Sequence, residues 1–164
     1  MTIRKILIVD DSPTERHLLA NILTKGGYQV GIAECGEDAL RMTKEVMPDL
    51  VLMDIVMPGI NGFQATRMIT KDQATRHIPI IICSSKSLET DKIWGLRQGA
   101  KDYIVKPIIA DELLQKITKL KESQTQEAPK KAAPEPEPAP KKKAAKTTAS
   151  KNYEAKVFRS GRKS

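Results

Sequence analysis

Long apolar runs, nucleotide-binding loops and paired cysteines are all missing from this sequence. No apolar stretch approaches the roughly 20 residues that a transmembrane helix requires, so we expect no membrane span. The segment 1–11 has only one short apolar run before two acids, which does not fit a secretory signal peptide. Neither GxGxxG nor GxxxxGK followed by Ser or Thr occurs, and this excludes the common phosphate-binding loops of nucleotide sites.

The cysteines and histidines are too few and too scattered to predict a disulfide framework or a transition-metal site. Cys35 and Cys83 lie far apart and lack a CxxC partner, so we expect free thiols, a reducing compartment and a cytoplasmic location. His17 falls within a predicted helix and His77 in a loop before a predicted strand, so neither is expected to be a metal ligand.

The net charge of +8 is concentrated near the end of the chain. Residues 1–121 carry 17 Lys and Arg against 15 Asp and Glu, a net charge of +2. Residues 122–164 carry 11 against 5, a net charge of +6. The basic character therefore belongs to the last 43 residues and does not identify the first 121 as a nucleic-acid-binding domain.

Apolar periodicity predicts alternating strands and helices in residues 1–121. Short runs of branched apolar side chains are typical of strands buried on both faces, and amphipathic segments follow them. We predict strands at 3–9, 28–33, 50–53, 78–83 and 103–105, and helices at 13–25, 36–47, 63–71, 88–98 and 111–120. Five strand–helix units with short connections require right-handed crossovers, so the predicted fold is an α/β, doubly wound parallel sheet.

Local signals predict where helices begin and which side chains they bury. Ser12 and Glu15 fit a capping box with Pro13 at the first helical position, and Ser87 is predicted to cap the fourth helix. Helical spacing predicts these core-facing residues in the first, third and fourth helices: Leu18, Leu19, Ile22 and Leu23; Phe63, Ala65, Met68 and Ile69; Ile93 and Leu96.

Residues 122–164 have a different composition from the preceding chain. Ala, Pro, Lys and Glu dominate and large apolar side chains are scarce, so we predict a disordered basic tail. Basic clusters at 130–131, 141–143 and 159–163 could attract nucleic acid or an anionic membrane without sequence specificity. A solubilising or tethering segment explains the same composition equally well.

Polar side chains stand at the carboxyl ends of four predicted strands. Asp10 and Asp11 follow the first strand and Asp54 follows the third. Ser84 and Lys106 follow the fourth and fifth. Each has an ordinary explanation when taken alone, such as a turn, a helix cap or a solvated lysine. Because parallel strands end at one edge of a sheet, we expect all five to converge on one crevice.

This set of groups favours phosphoryl transfer assisted by a hard cation. Several carboxylates in one cleft repel one another and need a counterion, and oxygen ligands without histidine or cysteine favour Mg²⁺. Asp54 can act as the nucleophile and become an acyl phosphate, while Lys106 and Ser84 contact phosphoryl oxygens. Because no nucleotide-binding loop is present, we expect the phosphoryl donor to be another protein or a small acyl phosphate.

Four segments together resemble the receiver domain of bacterial response regulators: ILIVDDS (6–12), LVLMDIVMPGINGF (50–63), Ser84-Ser85 and DYIVKP (102–107). The resemblance covers about residues 3–121. It implies a flavodoxin-like sheet with strand order 2-1-3-4-5. It also implies that Asp54 is the phosphoacceptor.

The resemblance assigns roles to the other residues of the crevice. It implies that Asp10, Asp11, Asp54 and the backbone carbonyl of Val56 hold Mg²⁺. The resemblance also implies that Ser84 and Lys106 contact the phosphoryl group and that Lys106-Pro107 is a cis peptide. Tyr103 is then an aromatic switch that turns inward when Ser84 moves toward the phosphate.

Three longer segments are similar to the chemotaxis-like regulators of type IV pilus twitching motility, the PilH and PilG type: DDSPTE (10–15), LMDIVMPGINGFQATR (52–67) and ETDKIWGLRQGAKDY (89–103). This similarity implies a stand-alone switch and not an enzyme, with a CheA-like histidine kinase as donor and a monomeric state. The output is then a pilus-motor or other protein target bound at the face of the fourth helix, fifth strand and fifth helix. Two alternatives stay open: a receiver that controls nucleic-acid binding through the basic tail, and a phosphate sink for a shared kinase.

Overall fold

The computed structural model describes residues 2–126, which form a five-stranded sheet covered by helices on both faces. The strands are β1 (Lys5–Val9), β2 (Gln29–Ala33), β3 (Leu50–Met53), β4 (Ile80–Ser84) and β5 (Asp102–Val105). The helices are α1 (Pro13–Lys25), α2 (Gly36–Val46), α3 (Gly62–Lys71), α4 (Glu89–Arg97) and α5 (Ala110–Gln126). The predicted order and type of all ten elements are confirmed, with ends that differ by a few residues.

The sheet is parallel and its strand order is β2-β1-β3-β4-β5. This confirms the doubly wound sheet predicted from the strand–helix pattern and the flavodoxin-like strand order implied by the resemblance to receiver domains. The central pair is in register from Ile6 opposite Leu50 to Val9 opposite Met53, so β1 and β3 end at the same level. Residues that follow these two strands therefore start from neighbouring points at one edge of the sheet.

Alternate strand residues enter two separate layers of the core. Ile6 and Ile8 of β1 pack on one side with buried residues of α1 and α5, whereas Leu7 and Val9 pack on the other side with α2 and α3. Both faces of the sheet are therefore buried beneath helices. This explains why the strands read as continuous apolar runs and not as alternating patterns.

The apolar stripe of α1 is narrower than its sequence predicts. Leu19 and Leu23 are buried, and Ile22 packs against them at the margin. Leu18 is exposed, so its predicted core position is wrong. Met68 of α3 is likewise exposed, while its neighbour Ile69 is buried. In both cases two adjacent apolar residues differ by about 100° around the helix, and only packing decides which of them faces the sheet.

Helix α4 contacts the sheet through a glycine. The predicted core residues Ile93 and Leu96 are 46% and 47% exposed, whereas Gly95 is buried. A Cβ atom at Gly95 would lie 2.7 Å from Cδ1 of Ile82 in β4, so the helix backbone approaches the sheet closely. The predicted cap is also wrong, because α4 begins after Leu88 and has no side-chain N-cap, in place of the expected Ser87.

We expect Gly95→Ala to lower the free energy of unfolding by about 1–2 kcal/mol, because the new methyl group overpacks the contact with Ile82. Helix propensity alone would predict a gain of roughly 1 kcal/mol from the same substitution. Ile93→Ala should change stability by less than about 1 kcal/mol, since this side chain is half exposed. Urea unfolding of both variants measures the difference. A stabilised Gly95→Ala would contradict the close approach.

The last helix continues to Gln126, beyond its predicted end at Leu120. Residues 122–126, which the sequence placed in the disordered tail, therefore belong to α5, and the predicted boundary at residue 121 falls inside this helix. The rest of the predicted tail, with its basic clusters, lies outside the described residues. Among the helices of residues 2–126, none has the length and apolar character needed to cross a bilayer.

Candidate functional site

Four strands deliver polar side chains to one edge of the sheet. Asp10 follows β1 and Asp54 follows β3, and the registered ends of these strands bring them side by side. Ser84 is the last residue of β4 and pairs with Val105, directly before Lys106. This edge is the crevice at which open α/β sheets bind ligands.

The ammonium group of Lys106 lies among three carboxylates. Its Nζ is 2.9 Å from Oδ2 of Asp10, 3.3 Å from Oδ1 of Asp54 and 3.7 Å from Oε1 of Glu15. The side chains of Lys106, Asp10 and Asp54 are only 15%, 2% and 7% exposed. Burial lowers the pKa of Lys106, but the hydrogen bond from its Nζ to Asp10 and the neighbouring negative charges raise that pKa above its ordinary value. The lysine is therefore held in its charged form.

Asp10 is fixed at both its side chain and its backbone. Its Oδ1 accepts a hydrogen bond from the backbone N–H of Ser12 at 2.9 Å. Its carbonyl accepts one from the guanidinium of Arg16 at 3.0 Å, and Arg16 also forms an ion pair of 3.5 Å with Glu34. Asp10 is consequently oriented by the first turn of α1 before any ligand binds.

Asp54 is held by backbone contacts and has a perturbed pKa. Its N–H donates to the carbonyl of Val9 at 2.9 Å. Gly62 packs so closely on this segment that a Cβ there would lie 2.7 Å from Cα of Ile55. Burial, followed by repulsion from Asp10, raises the pKa of Asp54 to about 6, and Lys106 offsets only part of this shift. The carboxylate is thus ionised near neutral pH, although burial and the negative charge of Asp10 disfavour the ionised form.

The carboxylates of Asp10, Asp11 and Asp54 form a group that could hold a metal ion. One oxygen from each lies within 4.8 Å of the others, and Asp11 is exposed at the mouth of the crevice. An all-oxygen set with excess negative charge suits a hard cation such as Mg²⁺. Val56, predicted to contribute its backbone carbonyl, lies two residues beyond Asp54 in the loop before α3, and its side chain is exposed. The predicted cation site therefore fits the residues that are present.

Ser84 and Tyr103 both contact the backbone of Lys86. The Ser84 hydroxyl, which is fully buried, accepts a hydrogen bond from the Lys86 N–H at 3.1 Å. The Tyr103 hydroxyl donates to the Lys86 carbonyl at 2.8 Å, and the tyrosine ring is buried. Tyr103 therefore lies inward in this structure, and the loop after β4 links the two predicted switch residues. The predicted cis peptide between Lys106 and Pro107 is present.

The structure also brings in two charged residues that the sequence reasoning did not select. Glu15 was interpreted only as half of a capping box, but its side chain faces Lys106, while Ser12 accepts from the Glu15 N–H at 3.3 Å. Arg16 was not considered. Both lie in the first turn of the helix that follows β1, and the start of such a helix lies at the same edge as the strand ends. The charged side chains in that turn were therefore the sequence feature that could have identified both residues as part of the site.

Histidine takes no part in the cation site. Within residues 2–126, the group of potential metal ligands consists of aspartates. His77 lines a cavity of about 380 Å³ together with Asp49 and Lys101, at the amino ends of the strands. The free thiol of Cys83 is buried, and burial raises its pKa to about 12. Cys35 is also free.

Sequence comparison with known proteins identifies the family of this chain and a relative. A family model described as the response regulator receiver domain matches residues 6–118. The chain is 57% identical over 113 residues to Protein PilH of Pseudomonas aeruginosa, an alignment that covers 69% of this chain and 93% of PilH.

Solved structures show the same fold. A CheY-like response regulator receiver domain protein from Methanospirillum hungatei matches with a TM-score of 0.71 at 28% identity, covering 77% of this chain and 100% of that one. The receiver domain of a Pseudomonas aeruginosa sensor histidine kinase matches with a TM-score of 0.66 at 30% identity, covering 72% and 97% of the two chains. That second structure contains a magnesium ion coordinated in its active-site cleft.

Proposed function

Because this chain belongs to the response regulator receiver domain family, we propose that it is a phosphorylation switch in which Asp54 accepts a phosphoryl group from a histidine kinase. The observation that carries the proposal is the position of Asp54, beside Asp10 and 3.3 Å from the ammonium group of Lys106. A carboxylate nucleophile is thereby placed next to a fixed positive charge at an edge open to a partner.

The transfer forms one bond and breaks another. An oxygen of the ionised Asp54 attacks the phosphorus of a phosphohistidine, the P–N bond breaks, and the leaving imidazole takes up a proton. The product is an acyl phosphate on Asp54. Lys106 neutralises charge on the phosphoryl oxygens and the Ser84 hydroxyl donates to one of them. The protein promotes its own modification, so we classify it as a phosphoacceptor switch and not as an enzyme.

Asp10, Asp11 and Asp54, with the backbone carbonyl of Val56, would hold Mg²⁺. When bound, the ion neutralises negative charge on the phosphoryl oxygens. The protein's own contribution is to hold these groups ready: Ser12 and Arg16 orient Asp10, and the Gly62 contact fixes the loop after Asp54. Asp10, Asp11 and Asp54 carry three negative charges when ionised, and the ammonium group of Lys106 balances only one of them. The remaining negative charge favours a divalent cation here.

Output is proposed to follow from a population shift between two packings of the loop after β4. A phosphoryl group on Asp54 would accept a hydrogen bond from the Ser84 hydroxyl and draw Ser84 away from the Lys86 N–H, from which that hydroxyl now accepts a hydrogen bond. Movement of Ser84 then alters the Lys86 backbone, which Tyr103 also contacts. The affected surface comprises α4, β5 and α5, where Trp94 is half exposed. A protein target that binds this surface would read the phosphorylation state.

The similarity to PilH supports a more specific role. We propose that the chain acts as a cytoplasmic, monomeric regulator in chemotaxis-like control of type IV pilus twitching motility. Its phosphoryl donor would be a CheA-like histidine kinase and its target a component of the pilus motor or another protein. A phosphate-sink role would use the same Asp54 chemistry, so competition for the cognate kinase's phosphoryl groups separates the two roles.

The direct test is incubation with Mg²⁺ and a small phosphodonor, followed by intact mass spectrometry. The wild type should gain a single phosphoryl group, and Asp54→Ala should gain none. Asp49→Ala is a matched control, because Asp49 lies before β3 at the opposite edge of the sheet and should leave the modification unchanged. Phosphorylation of Asp54→Ala to the wild-type level would overturn the assignment.

A further inference from the structure

Glu15 places a fourth carboxylate beside the proposed phosphorylation site. Its N–H is used in capping α1, but its side chain does not return to the cap. Instead its Oε1 lies 3.7 Å from Nζ of Lys106. This oxygen is buried and has no hydrogen-bond partner within residues 2–126. A buried carboxylate oxygen without such a partner is costly unless a nearby charge stabilises it, and Lys106 supplies that charge.

The charges around Lys106 are strongly unbalanced. Asp10, Asp54 and Glu15 all face its ammonium group, and Asp11 stands within the same acidic cluster. Arg16, the next cation in α1, is directed to the Asp10 carbonyl and to Glu34. Three carboxylates therefore share one ammonium group, and Asp11 adds a fourth negative charge nearby, at the position where the proposed function requires both a cation and an anionic phosphoryl group to bind.

We infer that Glu15 is a positioning residue whose charge, set beside Lys106, favours cation binding over anion binding at Asp54. The inference rests on the proposed phosphoacceptor role of Asp54 and adds a residue that sets the balance between the metal and the phosphoryl group. Glu15 acts through Lys106 and through the local potential and does not touch the reacting atoms.

The distance between the Glu15 and Asp54 carboxylates sets the size of the expected change in ion affinity. Since Lys106 Nζ contacts both carboxylates, Oε1 of Glu15 lies within about 7 Å of Oδ1 of Asp54. Removing a unit charge at that distance should change the affinity of a neighbouring ion by roughly three- to tenfold in a partly solvated cleft. The sign differs with the charge of the ligand. Loss of the carboxylate weakens Mg²⁺ binding and strengthens binding of an anion.

Glu15→Gln tests this directly, because glutamine keeps the size of the side chain and the backbone cap. Titration calorimetry should show Mg²⁺ binding weakened by roughly threefold or more. At saturating Mg²⁺, the dissociation constant of beryllofluoride, an anionic phosphoryl analogue, should fall by a similar factor. Both changes should shrink as salt concentration rises. Glu45→Gln, in the last turn of α2 at the opposite edge of the sheet, removes one carboxylate and should change neither constant.

A structural role for Glu15 predicts a different pattern, since a distorted cleft would bind both ions more weakly. Parallel weakening, or no change in either constant, overturns the inference while leaving the wild-type chemistry of Asp54 intact. Glu15→Asp provides a second variant that keeps the charge but moves it back by one methylene, and its two constants should lie between those of the wild type and Glu15→Gln. A wild type that accepts no phosphoryl group overturns the proposed function itself.

Discussion

Lys106→Met is expected to lower the free energy of unfolding by about 3–5 kcal/mol at pH 7 in magnesium-free buffer. The substitution leaves Asp10 and Asp54 buried without the ammonium group that lies 2.9 and 3.3 Å from them. It also removes the charge facing the buried Oε1 of Glu15. Removing one partner of a buried ion pair costs far more than the pair itself contributes, because the remaining charges stay desolvated. Chemical denaturation at fixed pH measures this loss.

The dependence on pH identifies the cause. Lys106 lowers the pKa of Asp54 in the wild type, so without Lys106 this pKa rises further and the folded variant binds a proton that the unfolded chain releases. Its stability should therefore increase as pH is lowered from 7 toward 5. In the wild type, the raised pKa of Lys106 contributes stability that is fully present below its ordinary value of 10.5 and is lost as pH rises through the folded value. The difference between the two proteins should then narrow at strongly alkaline pH.

Lys116→Met is the matched control. Lys116 on α5 is 3.1 Å from Asp102, but this pair is partly exposed, so its loss should cost less than about 1 kcal/mol and show little dependence on pH. Equal losses in the two variants would mean that the Lys106 cluster behaves as an ordinary surface pair. That outcome would contradict the electrostatic description of the site.

Asp54→Asn is expected to act in the opposite direction and stabilise the magnesium-free protein above pH 6. The folded pKa of Asp54 is about 6, above its ordinary value of 3.8, because burial and Asp10 disfavour the charged form. The difference between 3.8 and about 6 corresponds to about 3 kcal/mol. Because the cleft opens to solvent, we expect a measured gain of about 1–2 kcal/mol. Lys106 keeps its contact with Asp10 in this variant.

The pH window follows from the direction of the shift. Between about pH 4 and pH 6 the folded state binds more protons at Asp54 than the unfolded chain does, so wild-type stability falls as pH rises through this range. Well above pH 6, the loss of stability caused by the buried charge of Asp54 no longer changes with pH. The advantage of Asp54→Asn should therefore appear between pH 4 and 6 and then level off. Added Mg²⁺ should stabilise the wild type more than the variant and reduce the difference.

Asp72→Asn provides a control of opposite sign. The hydrogen bond with Lys44, followed by that from the Ala74 N–H, lowers the pKa of Asp72, so its ionised form favours folding. Its replacement should reduce stability at neutral pH, and the reduction should disappear as pH falls through the lowered pKa. If Asp54→Asn also reduced stability at neutral pH, Asp54 would be a net stabilising group and the raised pKa would be refuted.

The helices show how far local sequence can predict packing. The alternation of apolar runs and amphipathic segments was sufficient for all ten elements, because strand and helix periods differ strongly. It could not decide the rotation of α4, in which apolar residues lie on every side. Contact through Gly95 minimises the distance between helix and sheet, and this leaves Ile93 and Leu96 at the surface. No local periodicity encodes that choice.

The site divides in the same way. The sequence alone determined that Asp10, Asp54, Ser84 and Lys106 would meet at one edge, because parallel strands end together and each of these residues ends or follows a strand. Only the tertiary structure decided that the Glu15 side chain faces Lys106 and that Arg16 donates a hydrogen bond to the Asp10 carbonyl. It also decided that Tyr103 lies inward. The physical reason is that side-chain direction is set by charges and packing from segments distant in the chain. Strand ends, by contrast, are specified by residues next to them.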